Sequence, residues 1–190
     1  MLTEKAPRKS TLRAEFERSD LLTSLALPSD SRLLDQAKQI GSALAEGTTA
    51  RLQPACAAFL RSAAEFYDVQ IPEIRVLAAR PLRVREGGWA SELFGDYDPD
   101  TFQIRVWMRT AVRKQVTSLG TFLSTLCHEF CHHLDYQRLK LKDSWHTRGF
   151  YSRTAALYHH ARGTPAKRLF WIKMPAGRWK IDWVRTRRGI

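Results

Sequence analysis

Disulfide-forming capacity is nearly absent from this sequence: of its 190 residues only Cys56, Cys127 and Cys131 are cysteine. Cys127 and Cys131 stand four apart in a helical pattern, a poor geometry for a bridge. A disulfide framework is therefore excluded and a reducing compartment is expected. Long apolar runs are missing too. No run reaches the roughly 18 apolar residues that a membrane-spanning helix needs, and the polar N-terminal stretch has no apolar segment resembling a leader. The expectation is a cytoplasmic protein that does not enter a membrane. Acidic residues are few against basic ones, 19 Asp plus Glu against 31 Lys plus Arg, a formal net charge of +12. A cationic field of that size favours polyanions, nucleic acid first and an anionic membrane next. A basic but merely solvated surface is the simpler reading. Histidine does not occur before His128, and glutamate does not occur after Glu129.

What is present suffices for one domain with a real core, since 44% of the residues are hydrophobic. Residues 1–30 are polar and mixed in charge and read as a loosely ordered, flexible arm. From Ser31, apolar residues at helical spacing (Leu33, Leu34, Ala37, Ile40, Leu44) run to a stop near Gly47. Thr48 or Thr49 then opens a second helix through Phe66, with Pro54 in its early turns. Beyond Tyr67 the period changes to two. Ile74–Ala78, Pro81–Val84, Trp89–Phe94 and Phe102–Met108 read as strands, the last two joined as a hairpin through the turn-rich residues 95–100. In the last strand Phe102, Ile104, Val106 and Met108 share one face, and Gln103, Arg105 and Trp107 the other. Helix returns from about Ser118 to Leu139 and from about Thr147 to Ala161.

His128-Glu129-Phe130-Cys131-His132 forms an H-E-x-x-H motif within the first of these two helices. Residues four apart project from one side of a helix, so two imidazoles can grip one tetrahedral ion such as zinc. Glu129 follows the first ligand and points obliquely toward the same ion, placed to take a proton from a zinc-activated water. Leu123, Leu126, Phe130 and Leu134 supply an apolar stripe that seats the helix; Cys127 and Cys131 read as small buried residues rather than soft ligands. Zinc requires a third ligand. The missing downstream glutamate removes one common arrangement, and Asp135 and Arg138 stand where an extended motif would need Gly and His. His133 points about 100° away around the helix. His146, just before the next helix, is the best candidate, with Asp143, Asp182, His159 and His160 as alternatives. Asp135 is a candidate partner for a ligand imidazole, and Arg148, Tyr151 and His159 are candidates for stabilising an oxyanion.

The run from Leu126 to His133, followed by His146-x-x-x-Phe150, resembles the SprT-like zinc metalloproteases, a group that includes the Spartan proteases acting on proteins crosslinked to DNA. The resemblance covers roughly residues 70–162. It implies that His128, His132 and His146 bind zinc, that Glu129 is the general base, and that the fold is α+β and zincin-like. In such a fold a small antiparallel or mixed sheet packs with the active-site helix and a following ligand-bearing helix. Two departures stand out: Thr147 occupies the place where the family usually has Gly, and the chain lacks cysteines after Cys131 for a C-terminal zinc ribbon.

Residues 166–190 read as a basic, aromatic-rich hairpin or tail beyond a domain at 31–165. Eight Lys or Arg follow Pro165, with Asp182 the single acid. A turn at Pro175-Ala176-Gly177 would put Phe170, Ile172 and Met174 on one face with Trp179, Ile181 and Trp183. Trp171 would then lie on the basic face, free to stack on a nucleic-acid base. The expectation is a zinc-dependent peptidase acting on nucleic-acid-associated proteins, with an extended substrate pairing along an exposed edge formed by Phe102–Met108. Two alternatives are a nucleic-acid-binding protein with a structural zinc and no proteolysis, and a metallopeptidase serving as a regulator or toxin-like partner.

Overall fold

The structure, a computed structural model, describes residues 1–84 and 90–189. Among the described residues it is an α+β fold of six helices and a small mixed sheet, with two further two-stranded ribbons. Helices α2 (Arg32–Glu46) and α3 (Thr49–Tyr67) fall where helical spacing places them, and Gly47 closes the first in a left-handed conformation at φ 71°. Their apolar faces (Leu33, Ile40, Leu44, Leu52, Phe59, Leu60) enter the core completely. Strand β1 (Glu73–Ala79) runs parallel to β5 (Gln103–Arg109), and β4 (Gly95–Asp98) runs antiparallel to β5. The sheet order is β1-β5-β4. Helix α4 (Leu119–Gln137) packs under β4 and β5 through Leu123, Leu126, Phe130 and Leu134, and α5 (Arg148–Arg162) packs on α4 through Phe150 and Leu157. No helix among the described residues is long and apolar enough to cross a membrane.

The structure differs from the sequence reading in three places. Residues 10–21 form helix α1 instead of a loose arm. Only Phe16 and Ser19 of it are buried, so it lacks the apolar stripe that would have announced it. It is held instead by polar contacts: buried Arg153 donates to the carbonyls of Ser19 and Leu22, and Arg148 pairs with Asp20.

Residues 95–98, read as part of a turn, are strand β4. The expected hairpin partner at 90–92 is instead β3 (Ala90–Glu92), paired with β2 (Leu82–Val84); Trp89, placed by the sequence reading in that strand, lies outside the described residues. With β4 added, β5 becomes the central strand and is no exposed edge. Trp107, expected opposite Ile104 and Val106, is covered as well.

The third difference concerns the C-terminal ribbon of β6 (Trp171–Lys173) and β7 (Trp179–Ile181). It does turn at residues 175–177, with Met174 opposite Arg178. A three-residue loop pairs even positions with even and odd with odd, so Trp171 faces Ile181, and Ile172 faces Lys180. Trp171 therefore packs toward the core beside Tyr151, while Ile172 is exposed. The same ribbon packs against the rest of the fold, with Ile181 2% exposed and part of the core.

Candidate metal centre

Helix α4 begins at Ser118, whose hydroxyl caps the backbone N–H of Thr121, and carries His128 and His132 one turn apart. Helix α5 begins at Thr147, whose Oγ1 caps the N–H of Phe150 at 3.1 Å. Thr147 thus has a clear task at the start of this helix. His146 immediately precedes this cap, so the helix start aims its ring at α4. The three Nε2 atoms converge: His128 lies 3.0 Å from His146 and 3.2 Å from His132. Donors about 2.0–2.1 Å from a tetrahedral ion would stand ~3.3 Å apart, so the spacing fits one small cation.

Hydrogen bonding fixes the tautomers needed. Ser144 Oγ donates to Asp135 Oδ2 at 3.1 Å and accepts from His132 Nδ1 at 2.7 Å. His146 Nδ1 donates to Glu4 Oε1 at 2.6 Å. Each ring proton sits on Nδ1, leaving the Nε2 lone pairs of His132 and His146 aimed at the common point. Burial, then the neighbouring imidazoles, keep His128 and His132 uncharged: His128 is depressed to about 3 and His132 lies well below the ordinary imidazole value. Neutral imidazoles are the ligating form. Among the described residues, these three form the group of side chains spaced to hold a metal ion.

Glu129 is 6% exposed, and burial followed by the charge of Asp96 pushes its carboxyl up to about 8. It looks onto β4, whose Gly95 allows the approach. A Cβ at Gly95 would stand 2.6 Å from Thr125 Cγ2 and 2.8 Å from Glu129 Oε1. Beside the histidines lies a cleft of about 350 Å³, bordered by Gly95, Asp96, Glu129, Tyr136, Lys142 and Asp143. Gly95, His128 and Glu129 also border a second cavity of about 790 Å³, walled by Leu93, Phe94 and Trp183.

Behind the three imidazoles, Asp135 is fully buried and accepts two bonds from Arg153 at 2.8 and 2.9 Å. Burial raises its carboxyl to about 6 while Arg153 and Ser144 oppose the rise, and the two bonds from the Arg153 guanidinium favour the carboxylate form. Asp135 therefore reaches His132 through Ser144. Ser144 adopts φ 41°, uncommon for a residue with a side chain, to set its hydroxyl between the two.

His133 points elsewhere: its Nε2 donates to Gln70 O at 2.7 Å and its Nδ1 accepts from Tyr97 at 3.0 Å. Of the alternative ligands, Asp143 borders the cleft, His159 bonds Thr164, and Asp182 caps the short C-terminal helix α6 (Trp183–Arg188). Arg148 is bound to Asp20 and stacks on Trp179, and the Tyr151 hydroxyl is committed to Leu2 O, its ring lying against His146. Cys127 and Cys131 are buried free thiols.

Sequence reasoning missed Glu4, Ser144, Tyr136 and Arg153. Tyr136 was legible, being one further turn along the face of His128 and His132. Arg153 was legible as a charge within the buried stripe Phe150, Thr154, Leu157, which demands a buried counter-charge. Glu4 and Ser144 left no local signal. Comparisons of the chain with protein-family models, with curated proteins and with solved structures return no match.

Proposed function

We propose that the protein is a zinc-dependent peptidase of the SprT-like kind. The observation that carries this reading is one local arrangement: three converging imidazole nitrogens with a buried carboxylate one residue after the first of them. A purely structural metal site has no use for Glu129. When bound, zinc supplies Lewis acidity toward water and toward a peptide carbonyl. Glu129, buried and raised in pKa, takes the proton of the attacking water and returns it to the leaving amine. An extended peptide pairs along β4, the edge strand beside the cleft, whose Gly95 leaves room for Glu129. This main-chain mode replaces the edge expected at Phe102–Met108 and asks little of the substrate's side chains. The exposed Trp183 and the basic residues around it supply the contact for a nucleic-acid-associated substrate.

The decisive test compares Glu129→Gln with His146→Ala for zinc content and for cleavage of a labelled unfolded protein. Glu129→Gln is expected to keep stoichiometric zinc and lose cleavage by about 10²–10⁴-fold. His146→Ala is expected to lose zinc. Full cleavage by Glu129→Gln would remove the catalytic reading, and full zinc retention by His146→Ala would remove the ligand assignment.

A further inference from the structure

We propose that Glu4 is a positioning residue of the metal centre, its carboxylate holding His146 in the tautomer and orientation that present Nε2 to the ion. The proposal rests on the metal-binding reading above and adds an element to it. Residues 1–3 run antiparallel to β7 and extend the β6–β7 ribbon by a third, short segment: Ile181 N donates to Met1 O at 3.2 Å, Leu2 bridges Lys180, and Thr3 N donates to Trp179 O at 2.8 Å. Thr3 is 3% exposed, and its Oγ1 accepts from Trp179 N at 2.8 Å.

The next residue leaves the ribbon and meets the third ligand twice. Glu4 N donates to His146 O at 3.0 Å, and Glu4 Oε1 accepts from His146 Nδ1 at 2.6 Å. Backbone and side chain thus clasp one residue, 142 positions away along the chain. Tyr151 closes the arrangement: its ring stacks on His146 and its hydroxyl donates to Leu2 O.

A chance surface pair would not be anchored at both ends. The anchoring limits the rotation of the imidazole, and a carboxylate on the distal nitrogen raises the basicity of the ligating one. His132 is oriented by an equivalent relay through Ser144 and Asp135, so two of the three imidazoles have their own acidic partner. The two partners come from opposite parts of the chain. Integrity of the N-terminal strand and of the C-terminal ribbon is thereby coupled to metal affinity.

The experiment measures zinc affinity of the full chain by competition with a chelating dye, for wild type, Glu4→Ala, Glu4→Gln and the distant control Glu73→Ala. Glu4→Ala is expected to bind zinc about 10–100-fold more weakly. Glu4→Gln, whose amide oxygen still accepts the Nδ1 proton, is expected to recover most of that loss. Glu73→Ala should match wild type. The thermal midpoint of the zinc-free protein separates positioning from mere structure, and all four proteins are expected to share it. Unchanged affinity in Glu4→Ala overturns the role of Glu4, as does a loss that Gln does not relieve or that comes with a lowered zinc-free midpoint. Failure of wild type to take up zinc overturns the underlying metal reading instead.

Discussion

Burying a carboxylate at Glu129 has a cost that shows without any substrate. Its pKa is raised to about 8 from an ordinary 4.5, so in metal-free protein the folded state keeps a proton that the unfolded chain has released. Stability must then fall as pH rises between those two values. Glu129→Gln removes the titration. The variant is expected to exceed wild type by about 2–4 kcal/mol near pH 8 and by almost nothing near pH 4, read from urea unfolding of the metal-free proteins. A gap independent of pH would show that the carboxyl is not perturbed by burial. Gly95 answers the same crowding from the strand side. In Gly95→Ala the new Cβ meets Thr125 and Glu129 below normal contact distance, and the carboxylate end is the part free to yield. Zinc should be retained while cleavage falls on the order of 10²-fold, the usual effect of displacing a catalytic group by about 1 Å. Unaltered cleavage would place Glu129 elsewhere during the reaction. At this scale the sequence was most readable where spacing alone sets geometry: His128, Glu129 and His132 are adjacent on one helix. It was silent where the partner arrives from a distance, as with Glu4 on His146.

Among the elements, the junction of α1 with the start of α5 holds the ligand loop in place. Gly149 lies in the first turn of α5, and a Cβ there would stand 2.0 Å from Ser19 O and 2.8 Å from Leu22 O. Backbone cannot yield as a side chain can. Gly149→Ala is expected to destabilise the protein by at least about 3 kcal/mol, measured by denaturant unfolding. A loss below about 1 kcal/mol would mean that α1 is not docked as described. The contact also explains why a glycine is needed two residues after Thr147: the cap requires a hydroxyl at one position and the helix crossing requires no side chain at the other. Helices α2, α3, α4 and α5 were legible from the 3.6-residue recurrence of apolar residues. Helix α1 was not, because Arg153 and Arg148 fasten it by hydrogen bonds, which leave no periodicity. Strand β4 was not, because Gly95-Asp96-Tyr97-Asp98 has the composition of a turn and becomes strand through pairing with β5. The C-terminal ribbon was found at its correct turn but with the wrong faces, since the parity of a loop reverses every side chain at once.

For the molecule as a whole, the net charge of +12 is the property that reaches furthest into solution. Trp171 is withdrawn into the fold, so among the tryptophans of the described residues Trp183 is the one placed to stack on bases, being 41% exposed on a helix that also carries exposed Arg187 and Arg188. Single-stranded oligonucleotide binding is expected to weaken with salt at a log–log slope of about −2 or steeper, and Trp183→Ala should weaken it at every salt concentration. A flat salt dependence would leave the charge as a property of solubility alone. What the sequence by itself determined was that His128, Glu129 and His132 share one face region of a single helix, because a four-residue helical spacing is a local geometry that survives any tertiary arrangement. It also determined that a core would form and which helical faces would enter it. Only the tertiary structure decided which strand borders the cleft, which of the C-terminal tryptophans stays outside, and how the imidazoles of His132 and His146 are turned. Those outcomes depend on pairing register and on contacts between residues far apart in the chain, and nothing in a local pattern encodes them.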